Sequence, residues 1–191
     1  MKIGILGGTF NPIHLGHLVL ACEVKHKLSL DKVVFIPANL APHKEEKDLI
    51  DASHRLKMVK LAVAGNPDFE VNDMEIKRKG KSYSIDTIKA LSEQYPSSFK
   101  LFFILGSDAL NYLDSWKDVQ ELMKLAKFVV ASRPNYPLKD MPKGVLPVVI
   151  ESLDISAFRI RQRIKLDEPV RYLLPEKVYS HILKNNLYKG L

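Results

Sequence analysis

Cysteine is nearly absent. Cys22 is the only one in the chain, so no internal disulfide can form and the cytoplasm is the expected compartment. Long apolar runs are also missing. Leu101–Leu105 is among the longest and is far too short to cross a bilayer, so no membrane partner is expected. Lys2 is followed at once by Ile3-Gly4-Ile5-Leu6, which reads as a strand. A secretory leader would need a longer apolar stretch and a cleavage site. There is no internal repeat and no low-complexity segment. Trp116 is the only tryptophan, and the densest basic run, Lys77–Lys81, has no aromatics interleaved with it. The net charge of +7 therefore fits small phosphorylated ligands or a solvated surface better than nucleic acid.

What is present is enough for one core. The 191 residues are 46% hydrophobic, which favours a single domain over 1–191. Strands are expected at Lys2–Leu6, Lys32–Pro37, Phe69–Asn72, Leu101–Leu105, Lys127–Ser132 and Val145–Ile150. Helices are expected at His17–Leu28, Ser53–Ala64 and Asp86–Tyr95, and in segments running on to Lys124. C-terminal helices follow from about 156, at Ser156–Lys165 and Pro175–Leu183, with Pro175 suited to a first turn. Asn39–Asp51 reads as a long charged loop. The alternation predicts an α/β fold, a doubly wound parallel sheet of Rossmann-like type. Ligands in such sheets bind at the carboxyl ends of strands, which singles out Gly7–His17, Asn39–Lys44 and Gly106–Asp108.

The first of these loops carries the chemistry. Gly7 and Gly8 permit a sharp turn and close approach to a ligand. The start of the following helix offers N–H groups to a phosphate. Gly4, Gly7 and Gly8 do not make the G-x-G-x-x-G of dinucleotide-dependent oxidoreductases, and no G-x-x-x-x-G-K-[ST] is present. His14 and His17 stand three apart at the helix start, a spacing that puts two imidazoles on one face. They suit an oxyanion. Metal ligation together with His43 or His54 is the alternative, although the carboxylate-bearing motifs of zinc enzymes are missing.

Gly7-Gly8-Thr9-Phe10-Asn11-Pro12-Ile13-His14-Leu15-Gly16-His17 resembles the H-x-G-H signature of the nucleotidyltransferase α/β phosphodiesterase superfamily. Ile155-Ser156-Ala157-Phe158-Arg159-Ile160-Arg161 resembles its I-S-S-T-x-I-R signature, with Ala157 and Phe158 where small hydroxyl residues are usual. Four further features are similar to the bacterial nicotinate mononucleotide adenylyltransferases. They are Pro42-His43-Lys44, Ser82-Tyr83-Ser84-Ile85-Asp86-Thr87, Gly106-Ser107-Asp108, and Trp116 after a short helix. Together they span nearly the whole chain.

The resemblance implies transfer of AMP from ATP to nicotinate mononucleotide, with release of pyrophosphate. It implies that His14, His17, Lys44 and Arg161 handle the phosphates. Gly7, Gly8, Thr9, Phe10, Gly16, Gly106, Asp108 and Ser156 would contact ATP, with Asp108 on the ribose. Asn39, Tyr83, Ser84 and Trp116 would contact the acceptor, with Trp116 stacked on the pyridine. As the only tryptophan, Trp116 could equally be a core residue, and Asp108 a helix cap. Mg²⁺ would be bound mainly through ATP oxygens and water, with no dedicated protein metal site. The amide mononucleotide and phosphopantetheine are the other acceptors to weigh. A nucleotide sensor that lost turnover is the non-enzymatic alternative. The oligomeric state is open, a homo-oligomer included.

Overall fold

The structure, a computed structural model, describes residues 1–42, 49–96, 98–139 and 141–189. Six parallel strands form one sheet: β1 (Lys2–Gly8), β2 (Lys32–Pro37), β3 (Phe69–Val71), β4 (Lys100–Gly106), β5 (Lys127–Ala131) and β6 (Leu146–Val148). The spatial order is β3-β2-β1-β4-β5-β6. The order reverses between β1 and β4, the place where doubly wound sheets open a crevice.

Strand alternation divides the core between the two faces of the sheet. Leu6, Val33, Phe35, Phe102, Ile104 and Val129 point to one face. There they meet helices α1 (Leu15–Leu28), α2 (Ala52–Val63), α6 (Ala157–Lys165) and α7 (Glu176–Lys184). Ile3, Ile5, Val34, Ile36, Phe103 and Val130 point to the other. They meet α4 (Ser84–Gln94) and α5 (Val119–Leu125). Burying both faces explains why the strand sequences read as unbroken apolar runs.

The element boundaries differ from expectation in informative ways. Helix α1 begins at Leu15, two residues early, and His14 is its N-cap. Helix α4 likewise starts at Ser84, not Asp86. Asp51 caps α2 by accepting a hydrogen bond from the Ser53 backbone N–H at 2.7 Å. The last strand shrinks to three residues because it lies at the sheet edge and Pro147 has no N–H to donate. Pro175 is the N-cap of α7 and stands just outside its first turn. Ser107–Ser115 is a 3₁₀ stretch. A short helix, α3 (Met74–Arg78), was not expected, because five residues show no readable periodicity. It takes in part of the basic run.

Candidate active site

A cleft of about 520 Å³ opens at the carboxyl ends of β1 and β4. The first loop forms its floor. Gly7 and Gly8 close β1, but neither takes a left-handed conformation. That conformation falls on Phe10, at φ +49°. A bulky residue holds this backbone only when packing imposes it. Here the Phe10 ring is 3% exposed and lies against Phe35 and, edge-on at 5.1 Å, His17. A Cβ on Gly8 would meet the Phe10 ring at 3.2 Å, so any larger residue there presses on that ring. Asn11 is tied down from the C-terminal end of the chain. Its carbonyl accepts from Arg161 Nη1 at 2.8 Å, and its Oδ1 from the Tyr188 hydroxyl at 2.9 Å.

The two histidines are neighbours, as their spacing required. Their ring centroids lie 3.8 Å apart, and the backbone N–H of His14 donates to His17 Nδ1 at 3.2 Å. They pair as N-cap and third residue of α1 and do not share a helix face. His14 is 3% exposed. Burial first, and the charge of Arg133 second, lower its pKa from the usual 6.5 to about 3. The ring is therefore neutral at pH 7. Its Nδ1 is buried and meets no hydrogen-bonding partner among the described residues. That nitrogen faces the start of α1, where a Cβ on Gly16 would meet it at 3.0 Å, while the residue as a whole lines the cleft, where a neutral imidazole can donate to or accept from a ligand. Among the described residues no three or more His, Cys, Asp or Glu are grouped to hold a metal ion, and His54 does not line the cleft. His54 Nδ1 lies 3.2 Å from His181 Nε2, between α2 and α7. His43 and Lys44 lie outside the described residues.

On the β4 side, Gly106 and Asp108 line the cleft together with Arg133. Arg133 Nη1 donates to Asp108 Oδ2 at 3.1 Å, and Arg133 Nη2 to the Ile155 carbonyl at 3.3 Å. A Cβ on Gly106 would come within 2.5 Å of Asp108 Oδ1 and 2.6 Å of Arg133 Cδ, so this ion pair crosses directly over the glycine. Ser156 is the N-cap of α6, and Ala157, not Ser156, lines the cleft. Arg161 is 6% exposed and is not among the lining residues. Its Nη1 reaches the first loop's backbone at the Asn11 carbonyl. Phe158 is exposed, and the Arg161 guanidinium lies 5.8 Å from its ring.

Tyr83, Ser84 and Trp116 line the same cleft, with Tyr83 and Trp116 packed on the α4 face of the sheet, opposite the face that carries Phe10. Trp116 is half-buried and packs edge-on against Phe103 at 5.9 Å. It is thus both a core and a cleft residue. Lys117 Nζ lies 4.8 Å from the Tyr83 ring centroid. Beneath them is a polar group the sequence did not reveal. Thr87 Oγ1 donates to Glu75 Oε1 at 2.6 Å, and Arg78 Nη2 donates to Thr87 Oγ1 at 3.1 Å. Burial pushes the Glu75 carboxyl above its ordinary pKa, against hydrogen bonds from Thr87 and Ser82. Asn39 does not line the cleft. Its backbone N–H donates to Ser82 Oγ at 2.9 Å and its Nδ2 to the Gly80 carbonyl at 3.0 Å.

Sequence reasoning also missed Arg133 and Arg55. Arg133 stands two residues beyond β5, past a strand's carboxyl end, and that position was a signal. Arg55 shares the buried stripe of α2 with Met58, Val59 and Val63, where a charge is out of place.

Comparison with known proteins agrees with this fold. The cytidylyltransferase-like family matches residues 5–163. A nicotinate-nucleotide adenylyltransferase of Bacillus subtilis is 40% identical over 189 residues, covering 99% of each chain. Two structures of a Plasmodium falciparum nicotinic acid mononucleotide adenylyltransferase, one complexed with APC and one with NaAD, share the fold. Each has a TM-score of 0.80 at 20% identity and covers 98% of this chain, with 96% and 97% of theirs covered. The chain belongs to the nicotinate-nucleotide adenylyltransferase family.

Proposed function

We propose that the protein joins ATP and nicotinate mononucleotide. An oxygen of the mononucleotide 5′-phosphate attacks the α-phosphorus of ATP. The bond to the bridging oxygen breaks, pyrophosphate leaves, and nicotinate adenine dinucleotide remains. The observation that carries this reading is one continuous cleft, with the histidine pair and first loop at one end and Tyr83, Ser84 and Trp116 at the other. The nucleophile is already an anion, so the chain need supply no strong base. Positioning and charge stabilisation suffice.

In this reading His17 donates to the α-phosphate as charge develops, and neutral His14 adds a second contact from beneath. The Gly8–Thr9 backbone contacts bridging oxygens. Asp108, oriented by Arg133, accepts from the adenosine ribose. Lys44 pairs with phosphate. Arg161 acts by holding Asn11. Trp116 stacks on the pyridine ring, and the start of α4 at Ser84 presents N–H groups to its carboxylate. Mg²⁺ fits as a companion of the triphosphate. The described residues offer no group of three or more His, Cys, Asp or Glu to hold it, so ATP oxygens and water would do so. The ion would supply neutralisation of triphosphate charge. Soluble nucleotide substrates and a lone cysteine suit a cytoplasmic enzyme.

Pyrophosphate release from ATP tests the reading, measured with nicotinate mononucleotide, the amide mononucleotide and phosphopantetheine as acceptors. Turnover should be fastest with the nicotinate. Release with phosphopantetheine alone would refute the acceptor assignment.

A further inference from the structure

We infer that Arg55 is a positioning residue that sets the spacing between the phosphate-holding end of the cleft and its acceptor end. The inference rests on the adenylyl-transfer reading above. Arg55 is 1% exposed, and its guanidinium reaches backbone carbonyls from three separate segments. Nη1 donates to the Thr9 carbonyl at 2.9 Å and also to that of Ala38. Nη2 donates to the Asn39 carbonyl at 2.7 Å, and Nε to that of Ile50 at 3.2 Å. Thr9 belongs to the loop after β1, Ala38 and Asn39 to the loop after β2, and Ile50 to the approach to α2.

From Asn39 the link continues to the acceptor end. Its N–H donates to Ser82 Oγ at 2.9 Å, and the Ser82 N–H donates to the Leu40 carbonyl at 2.8 Å. Tyr83 and Ser84 follow directly. One side chain thus joins the backbone of the phosphate loop to the segment that presents the acceptor pocket.

The chemistry of the residue fits this role. Burying a guanidinium is costly, and if the position served only to pack α2, an apolar side chain beside Met58 and Val59 would serve without that cost. A planar fork with donors pointing in several directions can bridge separated carbonyls, which the single ammonium of lysine cannot. In-line transfer depends on where two bound substrates sit relative to each other. A misplacement of about 1 Å can cost on the order of a hundredfold in rate. Each substrate alone would still find its own end of the cleft.

The full-length protein is compared as wild type, Arg55→Lys and Arg55→Gln. Steady-state kinetics are measured alongside calorimetric titration with a non-hydrolysable ATP analogue, which counts folded sites. The expected result is a kcat lower by about tenfold or more, with each KM within about threefold and the site count intact. A kcat within about twofold of wild type overturns the inference, as does a rise in both KM values with kcat kept. Hydrogen exchange adds a readout that needs no turnover. The amides of Ala38, Asn39 and Ser82 should exchange about tenfold faster relative to those of β4, and unchanged exchange overturns the inference. If neither Arg55 variant folds, Ser82→Ala cuts the same link further along. It should lower kcat at least about threefold with KM held, and an unchanged kcat again overturns the inference. Wild-type protein that releases no pyrophosphate would sink the functional reading, and the exchange measurement would then decide the positioning role alone.

Discussion

At the phosphate end of the cleft, Thr9, Phe10, Asn11 and His14 are all buried. At the acceptor end, Tyr83, Ser84 and Trp116 are half-buried, and Tyr112 beside them is 64% exposed. The phosphate end is also tied down from the opposite end of the chain, through Arg161 and Tyr188. The acceptor end rests on a 3₁₀ stretch and the first turn of α4. The difference fits what the proposed reaction asks of each end. Charge development at phosphorus rewards donors that are fixed beforehand, because dipoles that need not reorganise stabilise a transition state best. A pyridine ring needs a flat surface and a carboxylate contact, and partly wetted side chains can supply both.

The sharpest way to break the comparison is His17→Ala. It should lower kcat by about a thousandfold while the circular dichroism spectrum stays native. If kcat were unchanged, the phosphate end would not be where charge is stabilised.

Acid should distinguish the two ends next. The unfolded chain protonates His14 near 6.5, whereas the folded one does so only near 3. Stability contributed by the neutral ring is thus full above about 6.5 and lost progressively as pH falls toward 3. At pH 5 the loss is on the order of 2 kcal/mol. The melting temperature should fall between pH 7 and 5, and His14→Gln should flatten that slope. An identical slope would mean that His14 is not the group responsible.

Trp116→Ala should raise KM for nicotinate mononucleotide about tenfold and leave KM for ATP within about twofold, since a lost stacking surface is worth on the order of 1 kcal/mol. Equal changes in both would dissolve the distinction between the ends. The smallest effect is expected from Lys117→Ala. An exposed cation over an aromatic ring contributes about 0.5–1 kcal/mol, so KM for the acceptor should shift by no more than about fivefold.

The fold was legible because both faces of the sheet are covered. Apolar runs such as Lys32–Pro37 match their strand to the residue. The histidine pair was legible too, although its geometry was not: three-residue spacing brings the rings together whether or not both lie on the helix. The Glu75–Thr87 hydrogen bond and the Arg133–Asp108 pair were hidden because their members come from different elements. Nothing local in the sequence marks such partners. Gly7 and Gly8 misled for the opposite reason. Their composition suggested the turn, but the left-handed residue is Phe10, held there by Phe35 and His17.

By itself, then, the sequence determined the order of strands and helices, the loop that lines the cleft and the pair of imidazoles within it. Periodicity and spacing are properties of neighbours along the chain. The tertiary structure alone decided that His14 is neutral, that Arg161 braces Asn11 from beneath and that Arg55 ties the two ends of the cleft together. Those outcomes depend on burial and on carbonyls brought from distant segments, and they exist only once the chain has closed around them.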